Sequence, residues 1–292
     1  MNLLRSVVHQ SVDTLYKSRN KLLRVMKRRN AFTKSILKSD SQEQFYAKQI
    51  EKILSKQSEL KYFRRNYNYR EILEHVSLQL GKAYLERIKI LSPNTWREVI
   101  NANLENDTFG APRKYLFPEL GLISPTTLRY IATAMEIDLL LDFSRIKKIV
   151  EIGVGYGGQA AVISRMTQIK TYYFLDLPDV LQLSQIFLKE IDSRLSPVLL
   201  NKIDESITEY DLVISNFAFS ELPRLLQINY LDKVLTRSKN GYMIMNSGRS
   251  DITGRSEGKL SISEILCRLP GAEVIEEVPL SGPDNYVLYW RS

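Results

Sequence analysis

The sequence predicts an α/β fold in which an N-terminal helical domain, residues 1–122, precedes a second domain, residues 123–292. The second domain would be built on a seven-stranded, mostly parallel sheet whose last strand is antiparallel. Three observations carry this. Residues 12 to 84 hold few glycines or prolines and place apolar residues at helical spacing. A stretch rich in turn residues follows. Beyond Lys147, short β-rich runs alternate with helical ones, the mark of parallel strands joined by crossover helices.

Taken in order, Leu22, Leu23 and Met26, and later Ile72, Leu73, Val76 and Leu80, recur as on one face of a helix, so several amphipathic helices are expected before Tyr84. Gly81, Pro93, Gly110, Pro112, Pro118, Gly121 and Pro125 then punctuate a connection between the two domains. Ser124 is an N-cap with Pro125 in the first helical position, opening a helix through Leu128, Ile131 and Met135 toward Leu140. Strands are expected at Lys148 to Ile152, Thr171 to Leu175, Pro197 to Leu200, Asp211 to Ser215 and Gly241 to Met245. A last pair, Glu273 to Val278 and Tyr286 to Trp290, is separated by Ser281, Gly282, Pro283 and Asp284, which fits antiparallel pairing. Between the strands, helices are expected at Gly158 to Met166, Asp179 to Ile191, Leu222 to Leu235 and Ile262 to Leu269.

With 44% hydrophobic residues, 292 residues suffice for a sizeable core, and no apolar run approaches the ~20 residues of a membrane-spanning helix. Arg5 and His9 interrupt the apolar stretch of Met1 to Gln10, so it lacks the continuous core of a secretory signal, and a cytoplasmic address follows as an expectation. The lone cysteine, Cys267, has no disulfide partner and reads as a buried helix residue. Charge is unevenly spread. Residues 1 to 70 carry seventeen Lys and Arg against five Asp and Glu, a net +12, while the remainder carries −4. Such a block is either a solvated helix face or a dock for polyanions and anionic lipid, with peripheral binding at the inner membrane face as one form of it. Tyr62, Phe63, Tyr67 and Tyr69 interleave aromatics with this charge, in the manner of nucleic-acid binding or of ordinary helix packing.

Chemistry concentrates at two strand ends. The first strand ends in Glu151-Ile152-Gly153-Val154-Gly155-Tyr156-Gly157-Gly158-Gln159, a strand followed at once by a glycine-rich turn and a helix. Glycine is needed where backbone takes positive φ or lies against a ligand. The spacing G-x-G-x-G departs from the G-x-G-x-x-G of pyrophosphate binders, and a carboxylate two residues before the first glycine would repel phosphate but attract an ammonium group. The second strand ends in Leu175-Asp176-Leu177-Pro178, placing Asp176 twenty-three residues after Gly153, close to the ~20-residue offset of a ribose-binding acid. An acid there admits NAD as well as S-adenosylmethionine.

Glu151 to Gly157 resembles motif I of class I S-adenosylmethionine-dependent methyltransferases, and Asp176-Leu177-Pro178 resembles their acidic second motif. With Ser124-Pro125-Thr126-Thr127-Leu128-Arg129-Tyr130 and Ser215-Asn216-Phe217-Ala218-Phe219-Ser220-Glu221-Leu222, the chain from about Gly110 onward is similar to bacterial sugar O-methyltransferases. The resemblance implies a Rossmann-like seven-stranded sheet, S-adenosylmethionine as cofactor, and a sugar or glycan acceptor. It implies that Gly153, Gly155 and Gly157 bring backbone to the cofactor, that Glu151 lies near its amino group, and that Asp176 binds its ribose. Asp204 would contact adenine or form a surface turn. Arg129 would pair with the methionine carboxylate or stand exposed on its helix. The loop at Asn216 would face the transferable methyl, with Glu221 as the general base or simply the first-turn acid of a helix. The only histidines, His9 and His75, lie outside the matched part, and no metal-ligand spacing is visible. The rival readings are an NAD-dependent sugar oxidoreductase, an amine methyltransferase related through Asn216-Phe217-Ala218-Phe219, and a nucleic-acid methyltransferase that uses the basic N-terminus.

Overall fold

The computed structural model describes residues 39–248 and 258–292, with side chains from residue 45 onward. The expected helix through Leu22, Leu23 and Met26, the reading of Met1 to Gln10, and the part of the basic block before residue 39 lie outside them.

Five helices lead the described chain: α1 (Ser39–Ser55), α2 (Gln57–Lys61), α3 (Tyr67–Ile72), α4 (Leu78–Leu91) and α5 (Trp96–Asn101). Side-chain caps start two of them. Asn66 accepts from the backbone N–H groups of Asn68 and Tyr69 before α3, and Ser77 accepts from Leu80 before α4. The turn-rich connection contains a small antiparallel hairpin that periodicity did not anticipate, β1 (Tyr115–Phe117) and β2 (Gly121–Ile123). Strands of three residues are too short to show alternation, so only their turn residues were visible. The helix α6 (Pro125–Leu141) begins as the sequence predicts, with the Ser124 hydroxyl accepting from Thr126 N–H at 3.2 Å.

From there strands and helices alternate: β3 (Lys148–Ile152), α7 (Gly158–Met166), β4 (Thr171–Leu175), α8 (Pro178–Glu190), β5 (Val198–Leu200), β6 (Tyr210–Asn216), α9 (Ala218–Glu221), α10 (Arg224–Lys233), β7 (Ser238–Met245), α11 (Ile262–Arg268), β8 (Glu273–Ile275) and β9 (Tyr286–Trp290). The helix expected from Leu222 starts instead at Arg224, because Pro223 forces Leu222 out of helical geometry and leaves α9 as a separate short turn. The expected strand to Val278 stops at Ile275. Beyond it the Glu277 carboxylate accepts from Ser281 N–H at 2.8 Å and from Asn285 Nδ2 at 3.2 Å, which turns the chain back toward β9.

The seven strands lie in the order β5-β4-β3-β6-β7-β9-β8, all parallel except β9, which runs antiparallel to both neighbours. This is the α/β, Rossmann-like, mostly parallel sheet with an antiparallel last strand. Alternate residues of each strand serve two apolar layers. Ile149, Phe174, Ile214 and Ile244 face a cluster filled by α6, α7 and α8. Val150, Leu175, Val213 and Met243 face one closed by Leu231 of α10 and Ile265 of α11. Ile50 and Ile53 of α1, Phe63, and Tyr69 of α3 belong to the first cluster, so the N-terminal helices and the sheet share apolar packing.

Two sequence expectations change here. Cys267 sits on α11 as a helix residue but is exposed. In the aromatic run, Phe63 and Tyr69 are buried core, while Tyr62 and Tyr67 are 48% and 70% exposed, so helix packing accounts for two of the four. Among the described residues no helix is long and apolar enough to cross a membrane.

Candidate active site at the carboxyl edge of the sheet

The chain leaves β3 into a turn in which Gly153, Gly155 and Gly157 have φ of +75°, +54° and +86°, the left-handed region that side-chain-bearing residues rarely adopt. Close packing adds a second reason for glycine at the first two. A Cβ on Gly153 would lie 2.0 Å from the Ala218 Cβ, and one on Gly155 would lie 3.0 Å from Leu73 Cδ1. The turn is therefore pressed between the start of α9 and the helical region.

Asp176, at the end of neighbouring β4, accepts from the N–H of Gly155 at 3.3 Å and of Leu177 at 2.7 Å. Burial pushes its carboxyl up to about 6, with the N–H groups of Leu177, Gly155 and Val154 pulling the other way. Both oxygens keep lone pairs for further donors. Glu151, one residue before the strand's end, is 2% exposed and accepts the Tyr172 hydroxyl at 2.6 Å. Burial drives its carboxyl up to about 8, so at neutral pH most of it is protonated.

On the other side of β3, β6 ends at Asn216. Its Nδ2 donates to Gln159 Oε1 at 3.3 Å, and Gln159 Nε2 donates to the Tyr130 carbonyl at 3.1 Å. The Asn216 Oδ1 is buried and has no hydrogen-bond partner, an acceptor that a donor on a ligand would satisfy. Phe217, next in sequence, has φ +73°, a strained conformation of the sort concentrated at functional loops. The Ser215 hydroxyl holds this loop in place, accepting from Phe219 N–H at 3.0 Å and donating to the Ile152 carbonyl at 3.1 Å. Glu221, the last residue of α9, is exposed and accepts from Asn246 Nδ2 at 3.0 Å.

The helical region roofs this edge. Leu73 lies over Gly155. The Tyr46 hydroxyl of α1 is raised well above its ordinary pKa, first by burial and then by the charges of Asp176, Tyr130 and Glu221, which it faces. Arg64 is fully buried. Its Nε donates to Glu74 at 2.6 Å, and its guanidinium stacks 4.7 Å from the centre of the Tyr156 ring within the glycine turn. Burial opposes the Arg64 charge, but Glu74 and Asp107 keep it protonated.

The structure thus brings together Gly153, Gly155, Asp176 and Asn216, with Glu221 at the rim and Glu151 beneath. Asp204 stands elsewhere, and Arg129 is buried within electrostatic reach of Tyr156 of the glycine turn. Asp204 makes a local turn, accepting from the N–H and hydroxyl of Ser206 at 3.0 and 2.7 Å. Arg129 is buried on α6, 5.2 Å from the centre of the Tyr130 ring, and is not an exposed helix residue. Sequence reasoning missed Tyr172, Gln159, Tyr46 and Leu73. Only Gln159 carried a local signal, as the first-turn residue after the glycines; the others reach the site through tertiary packing. Among the described residues no three His, Cys, Asp or Glu side chains converge as a metal site would require.

No family model matches the sequence, and no curated protein matches it. Solved structures are similar to part of the chain. An O-methyltransferase family protein from Burkholderia thailandensis is similar at 15% identity and a TM-score of 0.41, over 57% of this chain and 60% of that one. Magnesium protoporphyrin IX methyltransferase from Synechocystis PCC 6803, with bound SAH, is similar at 11% identity and a TM-score of 0.43, over 57% and 83%. A SAM dependent methyltransferase from Aquifex aeolicus is similar at 20% identity and a TM-score of 0.37, over 50% and 83%. The match thus spans 60% of the length of the first of these proteins.

Proposed function

We propose that this chain transfers a methyl group from S-adenosylmethionine to a hydroxyl of a sugar or glycan acceptor. The observation that carries the reading is the meeting of the left-handed glycine turn, Asp176 and the unsatisfied Asn216 Oδ1 at the carboxyl ends of β3, β4 and β6, where open α/β sheets bind ligands. The antiparallel β9, inserted between β7 and β8, departs from the strand order of dinucleotide-binding sheets and weighs against the NAD-dependent reading.

The residues fit the group. The positive-φ glycines of the Gly153 to Gly157 turn let the backbone curl at the carboxyl end of β3, where it would meet the methionine and ribose parts. The Asp176 carboxylate would accept from both ribose hydroxyls, and the buried, unpaired Asn216 Oδ1 would accept from the ammonium group. Glu151 lies one strand residue below, where a cation would favour its ionised form. When bound, the cofactor supplies an electrophilic methyl. The protein's remaining tasks are to align the acceptor oxygen for in-line displacement and to take its proton. Glu221, exposed at the rim with its carboxylate steadied by Asn246, would take the proton of the acceptor hydroxyl on a carboxylate oxygen as that hydroxyl is methylated. The reading places the enzyme in the cytoplasm, with the basic N-terminal block available for docking on an anionic surface.

Calorimetry with S-adenosylhomocysteine and with NAD on the full chain tests the cofactor, and transfer of labelled methyl to a sugar panel tests the acceptor. Binding of S-adenosylhomocysteine and a Glu221→Gln variant that keeps this binding but loses most turnover are the expected results. Binding of NAD in place of S-adenosylhomocysteine would overturn the reading.

A further inference from the structure

A cavity of about 200 Å³ lies between α3, the link into α4, the start of β1 and the first turn of α6. Arg70, Glu74, His75, Ser77, Arg113 and Thr126 supply its polar lining. Its charge is unbalanced. The carboxylate of Glu74, the one acid among the lining residues, is bonded to buried Arg64 at 2.6 Å, and Arg64 also pairs with Asp107 at 3.5 Å, so this buried group carries one net negative charge against the two arginines of the lining. Among the described residues neither Arg70 nor Arg113 forms an ion pair; Arg70 Nε is buried without a hydrogen-bond partner, and Arg113 lies 4.9 Å from the centre of the Tyr115 ring. An unpaired guanidinium nitrogen out of reach of water costs free energy unless a ligand satisfies it. The backbone at the start of α6 is capped by Ser124, so binding here falls to the side chains.

The cavity also lies at the reacting end of the molecule. Helix α6 precedes β3 and runs back along it, which puts its first turn beyond the carboxyl edge of the sheet. Thr126 is four residues, or ~6 Å of helix rise, from Tyr130. Tyr130 packs against Gly158 and receives the Gln159 amide that in turn holds Asn216.

We propose that this cavity binds the anionic group, phosphate or carboxylate, of the acceptor, so that the substrate is an acidic sugar and not a neutral one. Two arginines around a void of this size match a tetrahedral or planar oxyanion, which guanidinium forks hold through paired N–H donors. Assigning the anion to the acceptor rests on the methyl-transfer reading; the anion site itself does not.

The test is calorimetry on the full chain, saturated with S-adenosylhomocysteine, using glucose 6-phosphate, glucuronate and inorganic phosphate as probes and glucose as the neutral control. The anionic sugars are expected to bind at least ten-fold more tightly than glucose, with the gap narrowing as salt is raised. Arg113→Gln, at an exposed position, should shrink the gap at least three-fold, and Arg70→Gln should do so further, with affinity for S-adenosylhomocysteine unchanged in both. Equal binding of glucose and its phosphate, no binding of any probe, or a preference that survives both substitutions would overturn the proposal. Anion preference in a protein that fails to bind S-adenosylhomocysteine would remove the methyl-transfer reading and leave the anion site standing.

Discussion

Two carboxyl groups, Glu151 and Asp176, sit one strand apart and differ in what surrounds them. Glu151 has burial and one phenolic donor, which leaves it about 8; Asp176 is raised by burial too but has three backbone N–H donors and settles at about 6. For Glu151 the folded value exceeds the ordinary 4.5, so the folded chain retains a proton that the unfolded chain has released. Stability is therefore expected to fall as pH rises from about 4.5 to about 8 and to level off beyond. Glu151→Gln should flatten that slope and raise stability near pH 8 by a few kcal/mol, on the order of 1.4 kcal/mol per pKa unit. Urea titrations at several pH values check this. Protonation turns one Asp176 oxygen into a donor and removes the charge that strengthens its acceptance, so cofactor affinity should weaken as pH drops through about 6. Asp176→Asn should abolish this dependence and cost about 1.5–3 kcal/mol of binding, or about 10- to 150-fold in Kd. An affinity that is flat between pH 5 and 8 in the native protein would remove Asp176 from the binding site.

At the scale of elements, the glycine turn between β3 and α7 is held by partners far away in sequence. Gly155 combines φ +54° with Leu73 3.0 Å from where its Cβ would be. Gly155→Ala is expected to cost about 1–2 kcal/mol of stability from the left-handed backbone and to weaken cofactor binding, and adding Leu73→Ala should recover the steric part of the loss. A double-mutant cycle by thermal unfolding and calorimetry reads both. Arg64 ties the same turn to the helical region. It stacks on Tyr156 and donates to Glu74 and to the Asn106 carbonyl, while Asn106 Nδ2 donates to the Gly158 carbonyl at 2.9 Å. Arg64→Met is expected to destabilise by about 3–5 kcal/mol, because it strands Glu74 and Asp107 as buried acids. Replacing Arg65, exposed next to it, should cost less than about 0.5 kcal/mol, as surface positions do.

In the whole molecule, the helices that the sequence groups into residues 1–122 share an apolar cluster with the sheet. Ile50, Ile53, Phe63 and Tyr69 pack into the same layer as Ile149, Phe174 and Leu183. A single cooperative unfolding transition is expected, coincident by far-ultraviolet and near-ultraviolet circular dichroism. Two separated transitions would show instead that residues 1–122 and 123–292 fold as independent units. The arrangement also gives the helical region a place in function: Leu73 covers Gly155 of the glycine turn, and Arg70 lines the cavity proposed for the anion.

Periodicity and turn chemistry determined the order of the strands along the chain, the Ser124 cap of α6, and the glycine turn with its acid one strand later. Those features depend on contacts within a few residues of each other, where backbone geometry and local side chains settle the outcome. Boundaries were less legible where a distant partner or a proline interrupted a run, as at Pro223 and Glu277. Only the tertiary structure decided that Glu151 is sealed beneath Tyr172, that Arg129 is buried, and that Arg64, one charge in a basic stretch, is a core ion-pair partner. Burial and pairing of charge depend on which distant segments meet, since a carboxylate or guanidinium keeps its ordinary behaviour in water and changes it when packing removes the water and chooses its neighbours.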